Sequence, residues 1–233
     1  MLYERLQSIQ EWLMPGTCVL CDARIPSTQT FCASCDAALP RLVQPCPQCA
    51  APIEGAITNT LRCGACQKRP PAFARAFALY GYAPPIDGLI RGLKYHRRLE
   101  LARILGEQLA QGLASAARGV DLVVPVPLHR ARLHERGYNQ SLELARPVAK
   151  HLKLSLDFTC LQRTRATVPQ AGLTPVERRQ NVRGAFVATP AVNKLRVAIV
   201  DDVMTTGHTA NAVAQCLRKA GAKEVQVWVV ARA

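Results

Sequence analysis

The sequence has no apolar run long enough to cross a bilayer. Its longest apolar stretches are strand-sized, such as residues 122–128 with their two prolines, whereas a spanning helix needs ~20 residues. Glu4, Arg5 and Glu11 break up the apolar N-terminus, so it does not read as a secretory signal, and a cytoplasmic protein with no membrane span is expected. There is no low-complexity tract and no repeat beyond paired cysteines. Acid is scarce: 16 Asp and Glu face 30 Lys and Arg, a formal net charge of +14. Disorder of the whole chain is excluded, because 49% of the 233 residues are hydrophobic and only 20% charged.

The positive charge is uneven. Residues 1–70 carry a net +1 and residues 71–233 a net +13, so the second part is the one suited to a polyanion, either a phosphorylated small molecule or nucleic acid. A merely solubilising basic surface is the bland alternative. Cysteines divide the chain at the same place. Eight of the ten form four C-x-x-C pairs: Cys18/Cys21, Cys32/Cys35, Cys46/Cys49 and Cys63/Cys66. Two thiolates at that spacing on a tight turn reach one ion, and two such knuckles complete a tetrahedral zinc site. Ten residues separate Cys21 from Cys32 and thirteen separate Cys49 from Cys63. Both gaps are ribbon-like, so consecutive pairing gives two structural Zn²⁺ sites, although spacing leaves interleaved pairing open. A disulfide framework is disfavoured in a reducing compartment, and four redox pairs exceed what a thioredoxin-like site uses. With its metal this module is near neutral or slightly acidic, and it reads as a structural and partner-docking module before a nucleic-acid reader. Leu2, Leu6, Ile9, Trp12 and Leu13 predict a helix ahead of it, stopped by Pro15 and Gly16.

The boundary falls at Lys68-Arg69-Pro70-Pro71, giving domains 1–67 and 71–233. The second domain reads as strands at 73–82, 121–127, 195–200 and 224–231. Helices fall at 85–93, 99–117, 140–152 (with Asn139 as N-cap), 174 onward (a capping box with proline at its first position) and 209–219. Strands alternating with helices predict an α/β domain with a parallel sheet. Residues 163–173 are polar, without apolar period, and read as a long loop. Cys160 and Cys216 are isolated and read as buried small hydrophobes.

The richest segment is V-A-I-V-D-D-V-M-T-T-G-H-T-A, residues 197–210. A buried strand is expected to end at Val200, followed at once by Asp201 and Asp202. Val203, Met204, Thr205, Thr206, Gly207, His208 and Thr209 then lead into a helix. Ligands of open α/β sheets sit beyond the carboxyl ends of strands. Amides at a helix start, with hydroxyls and a permissive glycine, make a phosphate cradle. The carboxylates would repel phosphate; they suit vicinal sugar hydroxyls or a Mg²⁺ shared with the ligand. Chemistry alone thus suggests a ribose 5′-phosphate.

This segment resembles the fingerprint of type I phosphoribosyltransferases, which bind phosphoribosyl pyrophosphate (PRPP). The resemblance implies Asp201 and Asp202 for the ribose hydroxyls and Thr205 to Thr209 for the 5′-phosphate. It implies a pyrophosphate turn at Leu128, His129 and Arg130, and a closing loop at 163–177 led by Arg163 and Arg165, with Arg178 and Arg179 behind. Arg132, Arg136, Asn139 and Gln140 either line the site or build a helix start. The cysteine module, V-P-V-P-L-H-R (124–130), E-R-G-Y-N-Q-S (135–141) and L-Q-R-T-R-A-T-V-P-Q (161–170) resemble the ComF family, which includes GntX-type proteins. That resemblance covers roughly residues 15–233. It implies PRPP binding and a link to DNA uptake and competence, and leaves the reaction and the acceptor open; a Mg²⁺-dependent phosphoribosyltransferase with an unidentified acceptor is the first expectation. Two other functions stay in play: a non-catalytic PRPP sensor, and a single-stranded-DNA-binding zinc protein. A protein partner docked on the ribbon is a further expectation.

Overall fold

The computed structural model describes residues 16–53, 62–165 and 184–233. The expected N-terminal helix, the capping box at 174–177, Arg178 and Arg179 lie outside the described residues.

Five strands form one parallel sheet: β3 (Arg75–Gly81), β9 (Glu224–Arg232), β8 (Arg196–Met204), β4 (Leu122–Pro125) and β5 (Ser155–Leu156), in that spatial order. The central strands are apolar on both sides because helices cover both faces. On one face lie α3 (Ile86–Tyr95), α4 (Glu100–Gly112) and α6 (Gln140–Leu152), packed on Ala198, Val200, Trp228 and Val230. On the other lies α7 (His208–Lys219), whose Val213, Ala214 and Leu217 pack against Val197, Ile199, Val227 and Val229. α4 and α6 cross closely at Gly106. A Cβ there would stand 2.4 Å from Pro147 Cγ and 2.8 Å from the Leu144 carbonyl oxygen.

Two local readings are corrected. β8 does not stop at Val200 but runs to Met204, because β9 continues beside it and pairs Asp201 with Val229, Val203 with Ala231 and Met204 with Arg232. The two carboxylates therefore sit on a strand, not on a loop after it. The expected loop does not begin at Arg163, which closes a strand. β6 (Leu161–Arg163) pairs antiparallel with β7 (Phe186–Ala188), a two-stranded ribbon whose connecting residues 166–183 lie outside the described set. Cys160 is buried as expected, whereas Cys216 is only half-buried.

The cysteine module braces the edge of this sheet. It contains β1 (Gly16–Thr17), β2 (Arg24–Ile25), α1 (Ala33–Ala37) and α2 (Gly64–Lys68). The free edge of β3 takes its hydrogen bonds from this module: Gly81 N–H donates to the Pro40 carbonyl at 2.7 Å and Ala76 N–H to the Gln48 carbonyl at 2.8 Å, and Arg41 bridges Tyr80. An exposed edge strand invites pairing with another chain; here part of the same chain covers it. Cys18, Ile25, Phe31 and Leu39 join the core on the α4 side, and Ala50 joins the core on the α7 side.

Candidate functional site

The sulfur atoms of Cys18, Cys21, Cys32 and Cys35 lie within 4.8 Å of one another, and so do those of Cys46, Cys49, Cys63 and Cys66. Pairing is consecutive, not interleaved. The Ser34 hydroxyl and the Cys35 amide hold the Cys32 thiol down at about 6, while the neighbouring Cys32 and Cys21 sulfurs push Cys35 up to about 12. Four sulfurs so close cannot all ionise unless a cation balances them. A four-thiolate tetrahedral set is the donor chemistry of structural Zn²⁺, so both clusters fit zinc.

The second site is a cavity of about 390 Å³ beyond the carboxyl end of the sheet, the place where open α/β sheets bind ligands. β8 supplies its floor. Asp201 Oδ1 accepts from Ser141 Oγ at 2.8 Å and from the Asp202 amide at 2.9 Å. Burial first, then the Asp202 charge, pushes the Asp201 carboxyl up to about 7 against the pull of Lys94. Asp202 is 3% exposed and forms an ion pair with the Lys94 ammonium from the last turn of α3. Burial works against that ammonium, but the Asp202 and Asp201 charges outweigh it and hold its pKa above the ordinary lysine value. The Tyr138 hydroxyl donates to the Leu93 carbonyl, which ties the end of α3 to the start of α6.

The loop leaving β8 turns at Gly207, whose φ of +76° requires a residue without a Cβ penalty. Gly207 is the N-cap of α7, and the first helical bond runs from Asn211 N–H to the Gly207 carbonyl. The loop thus meets the positive end of the α7 dipole. Thr205, Gly207, His208 and Thr209 line the cavity along with Val203 and Met204, while Thr206 does not.

Opposite this loop stand Leu128 and His129, followed by α5 (Arg130–Arg136), a helix that the sequence reading did not contain. The His129 ring accepts from the Ala131 amide at 3.3 Å and caps α5. Arg130 is exposed and does not line the cavity; Arg132 and Arg136, one turn apart on α5, do. Arg136 donates to Gln140 and lies 5.7 Å from the Tyr95 ring centroid. Asn139 is the N-cap of α6, accepting from the Ser141 amide at 3.1 Å and donating to the Val126 carbonyl at 3.0 Å. Arg163, on β6, faces the cavity with its guanidinium 5.5 Å from the Phe186 ring, and burial lowers its pKa despite the Asp201 charge. Arg165 is exposed, outside the lining. Lys94, Tyr95 and Ser141 were missed as site residues from sequence: Lys94 and Tyr95 lie just past the helix read at 85–93, and Ser141 was read only within a helix and the 135–141 motif.

Among the described residues only the two cysteine clusters bring three or more metal-type side chains together. With Asp202 engaged by Lys94, the floor offers too few oxygens to hold Mg²⁺, which prefers six.

Residues 139–233 match the phosphoribosyl transferase domain family, and residues 9–67 match the double zinc ribbon domain family. The chain is 39% identical over 177 residues to DNA utilization protein YhgH of Escherichia coli, covering 74% of this chain and 78% of that protein. It is 35% identical over 179 residues to competence protein F of Haemophilus influenzae, covering 73% and 78%. Among solved structures, the B. subtilis glutamine PRPP amidotransferase overlaps 55% of this chain at 29% identity and a TM-score of 0.39; the chain spans a quarter, 25%, of that protein's length. A hypoxanthine phosphoribosyltransferase from Staphylococcus aureus overlaps 56% of this chain and 62% of its own at 14% identity and a TM-score of 0.35. Both scores are too low to add to what the sheet topology itself establishes.

Proposed function

The chain belongs to the ComF family of competence and DNA utilization proteins, and from that premise we propose that its cavity is a PRPP site. The observation that carries this reading is the acid pair at the end of β8 beside a helix-start loop with Gly207 in the left-handed region. The 5′-phosphate lies on the amides and hydroxyls of Thr205 to Thr209. The ribose hydroxyls donate to Asp201, the carboxylate not engaged by a cation. Arg132, Arg136 and Arg163 on the facing walls take the pyrophosphate, together with the amide turn after β4. With Lys94 cancelling Asp202, the walls carry a positive balance that suits a polyanion. When Mg²⁺ is bound it neutralises charge on the leaving pyrophosphate. The side chains hold the sugar, orient its C1 and leave negative charge nowhere unbalanced.

Such a site supports phosphoribosyl transfer: the bond from C1 to pyrophosphate oxygen breaks, its electrons leave with pyrophosphate, and an acceptor attacks C1. One observation favours a second reading, in which PRPP is sensed and not consumed. The Lys94 ammonium beside the ribose floor opposes the positive charge that C1 acquires as the bond breaks. Titration calorimetry with PRPP and Mg²⁺ tests the site, and loss of binding in Thr205–Thr209 loop variants is the expected result. Pyrophosphate release with a panel of bases, amines and single-stranded DNA separates the two readings: release with any acceptor supports transfer, and binding without release supports sensing.

The rest of the proposal follows from charge and chemistry. The net +13 of residues 71–233 suits weak, salt-sensitive contact with single-stranded DNA, consistent with a role in DNA uptake. The division into domains 1–67 and 71–233 is retained, with the ribbon as brace for β3 and its outer surface, where Val43 is 79% exposed, left for a protein partner. Thiol clusters of this kind suit a reducing compartment, so we place the protein in the cytoplasm. No helix among the described residues is long and apolar enough to cross a membrane.

A further inference from the structure

One side chain joins the second cysteine cluster to the loop that leaves β8. Arg232 is the last residue of β9, paired in register with Met204. Its Nε donates to the Cys49 carbonyl at 3.1 Å, and its Nη1 donates to the Met204 carbonyl at 3.0 Å. Nη1 also donates to the carbonyls of Thr205 and Ala233. Cys49 belongs to a metal-type cluster; Met204 and Thr205 are where the loop begins. A guanidinium, a cation with a rigid fork of donors, can gather carbonyl oxygens from such distant chain segments. Packing follows the same line. Ala50 is buried in the apolar cluster that holds Met204 and Ala210, and Cys49 packs against it. Cys18 of the first cluster lies in the core on the opposite face of the sheet.

We propose that Arg232 is a positioning residue that ties the phosphate loop to the second cysteine cluster, so that metal at Cys46, Cys49, Cys63 and Cys66 and phosphate at residues 205–209 stabilise each other. This rests on the reading of that loop as the phosphate site. A metal fixes the knuckle and so the Cys49 carbonyl. The fixed carbonyl orients the guanidinium, which holds the carbonyls of Met204 and Thr205 and thereby the direction of the amides beyond them. Without the metal, the ligand must order the knuckle as well as the loop, which lowers its affinity. By linkage the effect is reciprocal: phosphate bound at the loop tightens metal binding at the second cluster by the same factor that metal tightens phosphate. The first cluster, lying across the sheet, is an internal control.

The test uses the full-length zinc protein and four variants. Cys63→Ser opens the second cluster, Cys21→Ser opens the first, and Arg232→Met and Arg232→Lys alter the tie. Amide hydrogen exchange reads the loop without any ligand. Exchange at 203–210 is expected to rise about tenfold in Cys63→Ser and in Arg232→Met and to stay at the wild-type level in Cys21→Ser, with Arg232→Lys between. Zinc release to a colorimetric chelator reads the other end: Arg232→Met is expected to speed release of one zinc and not the other. PRPP with Mg²⁺ should slow that release in the wild type and not in Arg232→Met, a ratio that a merely stabilising arginine would not change. Equal loop exchange in Cys63→Ser and Cys21→Ser overturns the proposal. So does wild-type exchange with wild-type zinc release in Arg232→Met, or, if that variant fails to fold, in Arg232→Lys. A loop that responds to the second zinc in a protein that fails to bind PRPP upholds the tie and refutes the phosphate reading alone.

Discussion

Asp201 and Asp202 are neighbours in sequence with opposite energetic signs, and replacing each by asparagine separates them. The folded protein holds the Asp201 carboxyl at about 7, against an ordinary value of 3.8. Between those values the folded state keeps a proton that the unfolded chain has released, so stability falls as pH rises through the window and the full deficit is present above pH 7. Three units of pKa correspond to about 4 kcal/mol. Partial solvent access and the Ser141 hydrogen bond bring the expected gain of Asp201→Asn at pH 8 to about 1–3 kcal/mol, or roughly 2–10 °C in Tm for a chain this long. At pH 5.5 the unfolded carboxyl is closer to its own pKa and the gain should be about half as large. Asp202→Asn does the reverse. It leaves the Lys94 ammonium beside a neutral amide in a site where the lost carboxylate was 3% exposed, and breaking a buried pair on one side costs about 2–4 kcal/mol. Thermal melts of both variants at pH 5.5 and pH 8 decide the matter. Shifts of the same sign in the two variants, or an Asp201→Asn gain that does not grow with pH, would show that the pair is not arranged as described.

PRPP affinity should weaken about tenfold from pH 8 to pH 6, because the ribose hydroxyls need Asp201 ionised and its carboxyl stands at about 7; calorimetry in buffers of different ionisation enthalpy should show a proton released on binding. Lys94→Met should destabilise the fold by about 2–4 kcal/mol and, combined with Asp202→Asn, should cost less than the sum of the two single changes; simple additivity in chemical denaturation would mean the ion pair is not formed. Gly106→Ala should lower stability by about 1–3 kcal/mol, since its Cβ would meet Pro147 Cγ at 2.4 Å; an unchanged denaturation midpoint would contradict the close α4–α6 crossing. Metal analysis of freshly purified protein should give two zincs per chain, one for each four-sulfur cluster.

What was legible in the sequence was whatever local chemistry alone decides. The C-x-x-C spacing led to two consecutive clusters because two thiols on one turn have few other uses. Asn139 announced the start of α6 because a side-chain acceptor at that position satisfies the Ser141 amide. Gly207 announced the turn before α7 because its φ of +76° excludes most other residues. The end of β8 was misplaced for a related reason. An unbroken apolar run stops at Val200, but a strand ends where its neighbour does, and β9 runs on to Arg232. Helix α5 went unread because Arg130–Arg136 buries no residue and so carries no apolar period; its start depends on the His129 ring and its end on Gly137 in the left-handed conformation.

Lys94 was illegible for a deeper reason, and it changes the logic of the site. In sequence it belongs to a charged cluster at the end of a helix, where a lysine ordinarily faces water and complements the helix dipole. Its partner lies more than a hundred positions away, and only the closure of α3 over the end of β8 brings the two together. From sequence, two adjacent carboxylates look like a doubly negative floor, suited to sugar hydroxyls or to a Mg²⁺ shared with the ligand. In the folded protein the ammonium cancels Asp202, burial and that neighbour push Asp201 up to about 7, and the floor is close to neutral before any ligand arrives. A polyanion can then enter with its metal instead of waiting for one already in place. In the proposed PRPP site, the acid that remains to be ionised, Asp201, is the one whose proton the ribose would displace, so ligand recognition and the proton balance of the site would meet on a single carboxyl. PRPP binding should therefore depend on pH near neutrality more steeply than the phosphate loop alone would make it, and Asp201→Asn should flatten that dependence while Lys94→Met should shift it to higher pH, because removing the cation raises the Asp201 pKa further.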